Sequence, residues 1–225
     1  MNVHSGHRAR LKERYLEHGL NSFSDLNALE LLLFYVVPRH DTNPIAHALL
    51  QRFGSLDAVF SASRQELMTV PGVGEKTAAF ITMLPEFFRK VEISKTKDIS
   101  ILNCASKAGE YLMPRFKNEN EEVVILVCMD SRRQVISCQE VGRGVVNSVS
   151  VNSRKIMEMA LFNRADSVIL AHNHPMGYAL PSIEDRRLTM ELKRLLHGIG
   201  VELTDHIIVG ENDFVSMAES GLMHL

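Results

Sequence analysis

The chain has 225 residues, 45% hydrophobic and 23% charged, a globular balance that suits one or two domains and excludes dominant disorder. A net charge of -2 gives no global attraction for a polyanion, so nucleic-acid binding would have to come from a local feature. Cys104, Cys128 and Cys138 fit no metal or disulfide spacing, the start from Met1 to Glu13 is polar and basic, and the apolar runs fall short of the roughly 20 residues of a membrane span, so a cytoplasmic protein with reduced thiols and no transmembrane segment is expected.

From Ser5 to about Glu92 the apolar spacing is helical: Leu11, Tyr15 and Leu16 share a face, as do Leu26, Leu29, Leu33 and Val37. Pro38, Pro44, Gly54 and the run Pro71-Gly72-Val73-Gly74 punctuate about five helices. An all-α domain over residues 1–93 follows. Ser94 to Asp98 is polar and aperiodic, which predicts a linker over 94–102. Beyond a helix at Cys104 to Leu112, short β-branched runs at Val123–Cys128, Val135–Val141, Val168–Ala171 and Val201–Val209 predict strands. Helices near Asn152–Arg164 and Ser182–His197 interrupt them, so residues 103–225 read as a mixed α/β domain with helices flanking the sheet. Charges divide as 12 basic against 11 acidic up to Ile99 and 13 against 16 beyond it, so neither half is a polyanion magnet.

Ser167 to Ala171 is apolar without alternation, as expected of a strand buried on both faces, and it runs into His172-Asn173-His174. Residues two apart on a strand point the same way, so the two imidazoles can face one point. The turn from Pro175 to Pro181 can bring Ser182 and Asp185 back beside them. Two histidines and a carboxylate suit one zinc ion, leaving a fourth position for a water whose pKa falls from 15.7 to about 7. Each piece also has a plain reading: an isolated His-x-His is usually surface polarity, and Ser182-x-x-Asp185 matches a helix capping box. The two readings of Ser182 and Asp185 are compatible, because a capped first turn is a rigid platform.

His172-x-His174, seven residues, Ser182, two residues, Asp185 resembles the JAMM signature of JAB/MPN metalloproteases. Ala171 to Pro175, Pro181-Ser182-x-Glu184-Asp185 and Thr204-Asp205-His206-Ile207-Ile208-Val209-Gly210 resemble the bacterial RadC family, whose name is linked to DNA repair, and the likeness covers almost the whole chain. The resemblance implies a JAB/MPN, cytidine-deaminase-like fold for the second half. It further implies zinc on His172, His174 and Asp185, an oxyanion role for Ser182, and an upstream glutamate as general acid and base. Glu140 is the choice for that glutamate, because it shares strand parity with Ile136 and Cys138, although a solvent-facing strand-end residue is the alternative; Glu121 and Glu122 look like solvated strand-edge charge. Asp205 and His206 are candidate partners for the ligand imidazoles or plain packing residues. The sequence departs from the pattern at Asn173, where the best-known JAMM peptidases have Ser or Thr, and in an apolar turn from Met176 to Leu180.

Leu67-x-x-Val70-Pro71-Gly72-Val73-Gly74 followed by Thr77-Ala78-Ala79 resembles a helix-hairpin-helix motif. Its backbone N–H groups could hold a DNA phosphate without reading bases, with Lys76 adding a mobile charge; alternatively Pro-Gly-Val-Gly merely joins two helices. Arg8, Arg10, Lys12 and Arg14 form the only dense basic run. Three readings therefore stand: a zinc hydrolase of an amide or isopeptide bond in a protein or peptide, a metal-dependent nuclease, and a non-catalytic DNA-binding adaptor. Oligomeric state is not legible.

Overall fold

In the computed structural model, which describes residues 6–144, 152–175 and 177–223, the chain separates into two units, Met1–Phe88 and Arg89–Leu225. Short helices build the first: α1 (His7–His18), α2 (Asp25–Leu33), α3 (Asn43–Phe53), α4 (Leu56–Ser61), α5 (Arg64–Met68) and α6 (Glu75–Lys95), with a 3-10 turn at Leu20–Ser22. Their starts are written in serines, since Ser24 and Ser55 accept N–H bonds from Asn27 and Ala58, and Ser63 forms a capping box with Glu66. The closely spaced caps at Ser55 and Ser63 start α4 and α5 as two separate short helices. Leu29, Leu33, Leu49, Val59, Leu67 and Ile81 form the core. Glu30 is buried within this unit and accepts from His7 and Asn43.

The basic run at the start is partly spent on packing. Arg8 donates to the carbonyls of Val37, Pro38 and His40, and Arg14 stacks 4.0 Å over the Phe23 ring. Of residues 94–102, expected as a linker, α6 takes the first two. Further on, Ile101 bridges Gln134 and Leu102 is buried against the sheet of the second unit.

That unit contains α7 (Ala105–Phe116), β1 (Val123–Met129), β2 (Val135–Arg143), α8 (Ser153–Phe162), β3 (Ser167–Asn173), α9 (Ile183–Gly198), β4 (Glu202–Val209) and β5 (Phe214–Ser216). The sheet order is β2-β1-β3-β4-β5, with β3 and β4 parallel and the other pairs antiparallel. This is the expected mixed α/β architecture; β5, three residues long, carries no legible sequence signal. β1 and β3 are buried along their whole length, which explains their unbroken apolar runs. One face of the sheet, with Leu126, Leu170 and Ile208, packs on α8 and α9 through Ile156, Leu192 and Leu196. The other, with Val127, Ile169 and Ile207, packs on α7 through Leu112 and Phe116. A side chain at Gly109 would enter the ring of Phe214, so glycine there is what lets α7 lie close to β5.

Candidate metal centre

His172, the last residue but one of the buried strand β3, lies directly opposite Val124 of β1 and Ile208 of β4. Its side chain therefore emerges on the α8–α9 face. His174 follows beyond the strand, held because its N–H donates to the Val209 carbonyl at 2.8 Å. Ser182 caps α9: its hydroxyl accepts the Asp185 N–H at 3.1 Å and donates to Asp185 Oδ2 at 2.6 Å, while its own N–H donates to the same oxygen at 2.7 Å. The capping box thus aims Asp185 at the histidines, with Oδ1 3.2 Å from His172 Nε2 and Oδ2 3.7 Å from His174 Nε2. The two Nε2 atoms lie 3.0 Å apart.

The surrounding bonds fix which ring nitrogens carry protons. Thr189 donates its hydroxyl to the Asp185 carbonyl at 2.5 Å, so toward His206 it can only accept, and His206 Nδ1 donates to it at 2.6 Å. His206 is wholly buried, and that burial, helped by the neighbouring His172, pushes its pKa well below the ordinary value and keeps it neutral. Its bare Nε2 then accepts from His172 Nδ1 at 2.8 Å. His174 Nδ1 donates to the Tyr178 carbonyl at 3.1 Å. Both ligand rings consequently turn an unprotonated Nε2 toward Asp185.

Two lone pairs facing each other beside a carboxylate demand a cation. Tetrahedral zinc with Zn–N and Zn–O bonds of about 2.0–2.1 Å separates adjacent ligand atoms by about 3.3 Å, close to the 3.0 Å between the two Nε2 atoms and the 3.2 Å from His172 Nε2 to Asp185 Oδ1. The donor set therefore fits a divalent metal, with three protein ligands. Without metal, a proton takes that place. The hydrogen bond to Asp185 raises the His174 pKa against the effect of burial, and Glu122 contributes to the same shift. Burial opposes ionisation of Asp185, but the two imidazoles and Ser182 outweigh it and hold its carboxyl far below the usual range.

Glu140 is not part of this cluster. It pairs with Ile125, whose side chain lies on the α7 face, and its exposed carboxylate binds Arg143 at 2.8 Å. The parity shared with Cys138 holds, yet it is the parity of the opposite face. By the same alternation Val141, not Glu140, lies on the metal side. The glutamate that sequence reasoning dismissed is better placed. β1 pairs Val124 with His172 antiparallel, and Glu122, half-buried two residues before Val124, lies near enough to His174 to help raise its pKa. Asn173 holds that register: its Oδ1 accepts the Val123 N–H at 2.7 Å and its amide donates to the Glu121 carbonyl at 3.0 Å.

Asp205 and His206 part company. His206 bonds a ligand ring, whereas Asp205 accepts from Ser216, Ala218 and the His206 backbone, tying β4 to β5 and the segment after it. Tyr178 and Leu180 of the apolar turn are exposed beside the centre; Met176 lies outside the described residues.

In the first unit Pro71, Gly72, Val73 and Gly74 form the turn between α5 and α6. Val73 is buried in the core, Gly72 has φ +86°, and a Cβ on it would meet Ile45 at 2.9 Å. Lys76 is exposed in the first turn of α6, whose leading N–H groups have no partner within the helix.

Residues 102–222 match the RadC-like JAB domain family, and residues 39–96 match the helix-hairpin-helix motif. The chain is similar to a UPF0758 protein of Fusobacterium nucleatum subsp. nucleatum, at 36% identity over 97% of both chains. A UPF0758 protein of Paraburkholderia xenovorans is 33% identical over 93% of this chain and 83% of its own. One from Shewanella loihica is 35% identical over 93% of each. No helix among the described residues is long and apolar enough to cross a membrane.

Proposed function

The chain belongs to the RadC-like JAB family, and from that premise we propose that it is a zinc-dependent hydrolase of an amide or isopeptide bond in a protein or peptide. The observation that carries the reading is the convergence of the two Nε2 atoms, 3.0 Å apart, on a capped Asp185 whose carboxyl is held far below the usual range. A zinc ion held by His172, His174 and Asp185, one per chain, supplies a Lewis acid and an acidified water. Glu122, near His174, takes the proton of the attacking water and returns it to the leaving nitrogen. Ser182 has two roles, aiming Asp185 in the resting site and lending its hydroxyl to the oxyanion when substrate arrives. Thr189 and His206 hold the His172 tautomer that keeps Nε2 free.

Elemental analysis tests the premise: about one zinc per wild-type chain and loss of metal in His172→Ala and His174→Ala, with peptide-bond cleavage in wild type alone. A wild type that takes up no metal refutes it. The helix-hairpin-helix match favours a second arm of the same experiment, because the motif suggests DNA binding through Pro71 to Gly74 and Lys76 and leaves a nuclease or a DNA-binding adaptor as the competing outcomes. Metal-dependent nicking lost in Asp185→Asn would establish the nuclease, and salt-sensitive DNA binding with neither hydrolysis would establish the adaptor. A link to DNA repair and a cytoplasmic location belong to this same proposal.

A further inference from the structure

The outer face of α9 carries charge that the centre does not use. Ile183, Arg187, Met190, Arg194 and His197 recur at helical spacing along one stripe, and Arg186 and Lys193 flank it. Together with β4 and the segment after β5 this stripe encloses an open groove of about 1050 Å³. Among the described residues Arg186, Arg187 and Arg194 have no ion-pair or hydrogen-bond partner. Of the two acidic residues lining the groove, Glu202 binds Arg133 at 3.0 Å, while Glu191 reaches only the neutral Ser153 hydroxyl at 3.5 Å and keeps its charge. The three free arginines outnumber that carboxylate, so the groove keeps a net cationic excess.

The floor of the groove is apolar, formed by Met190, Val201, Leu203 and Met223. No Phe, Tyr or Trp lines it, so it lacks the stacking platforms by which proteins hold single-stranded nucleic acid. An apolar floor beneath unpaired arginines instead complements a polypeptide carrying both carboxylates and aliphatic side chains. Arg187 and Arg194 are two turns apart, about 10.5 Å along the axis. Carboxylates on one face of an extended peptide recur every second residue, about 7 Å apart, so those two and four residues apart bracket that separation. The groove also begins at Ile183, 65% exposed and next to Ser182 in the turn that aims Asp185.

We propose that this groove on α9 is a docking track for an acidic, aliphatic-containing segment of the polypeptide substrate, delivering the adjoining bond to the metal centre. This rests on the hydrolase reading, but the binding itself does not need catalysis. The test uses the full chain and a fluorescein-labelled peptide of alternating Glu and Leu, followed by anisotropy. Wild type and Asp185→Asn bind it equally and more weakly as salt rises, Arg187→Glu/Arg194→Glu binds roughly tenfold or more weakly, and Arg187→Lys/Arg194→Lys retains most of the affinity. Equal binding by wild type and the charge-reversed variant overturns the proposal. So does equally tight binding of an alternating Lys and Leu peptide, or displacement of the acidic peptide by single-stranded oligonucleotide. Arginine-dependent peptide binding by a wild type that takes up no metal would sink the hydrolase and leave the docking site standing.

Discussion

Replacing Thr189 by Val tests whether a hydroxyl that bonds the backbone of Asp185 and the His206 ring, but none of the three candidate ligand atoms, nevertheless decides metal binding. Thr189 Oγ1 receives the His206 Nδ1 proton at 2.6 Å inside a fully buried pocket. Valine fills the same space and accepts nothing, so the His206 N–H would be left unsatisfied at a cost of about 1–3 kcal/mol. His206 can escape that cost by moving its proton to Nε2, which then faces His172 Nδ1–H at 2.8 Å. The remaining relief is for His172 to move its own proton to Nε2, the atom aimed at the metal. Ligation must then reverse both tautomers, and the expected loss of zinc affinity is about 10–100-fold, or roughly 1.4–2.7 kcal/mol. Competition with a chromophoric chelator measures it. Thr189→Ser, which keeps the hydroxyl, should restore most of the affinity. Zinc binding by Thr189→Val within about twofold of wild type, while His172→Ala binds none, would refute the tautomer chain.

Glu122→Gln should retain zinc and lose turnover by about 10²–10⁴-fold, whereas Glu140→Gln should leave both unchanged, as steady-state hydrolysis with metal analysis would show. Asn173→Ser loses a brace to β1, because a hydroxyl cannot both accept from Val123 and reach the Glu121 carbonyl; kcat should fall while zinc content stays near wild type. Gly72→Ala forces a Cβ onto φ +86° and against Ile45, so thermal unfolding should report a loss of about 1–2 kcal/mol, while Gly74→Ala, with open space around it, should be neutral in stability. In the metal-free protein, the raised His174 pKa means that its pairing with Asp185 stabilises the fold below the ordinary histidine value of 6.5 and is lost as pH rises through the raised folded value. Saturating zinc reverses the trend, since protons compete for Nε2, and denaturant titrations at several pH values with and without metal would reveal the change of sign.

His172, His174 and Asp185 were legible in the sequence because local rules place them: strand parity turns residues 172 and 174 one way, and the Ser182 capping box fixes where Asp185 points. The helical first half, the buried strands β1 and β3 and the Gly72 turn follow from equally local signals. Glu140 and Glu122 show where that reading stops. Alternation puts Glu140 on the face of Cys138 but does not say which face meets α9, and that face is the one packed on α7. Glu122 comes near His174 only because β1 pairs with β3, braced by Asn173. His206 and Thr189 likewise meet only when β4 is laid beside β3 and α9 covers both. Sequence by itself determined the His172–His174–Asp185 candidate site and the elements that carry it, because those depend on neighbours along the chain. Tertiary structure decided which glutamate lies near that site, the hydrogen-bond partners of the two imidazoles and the basic groove, because each is a contact between strands or helices that the chain brings together only on folding.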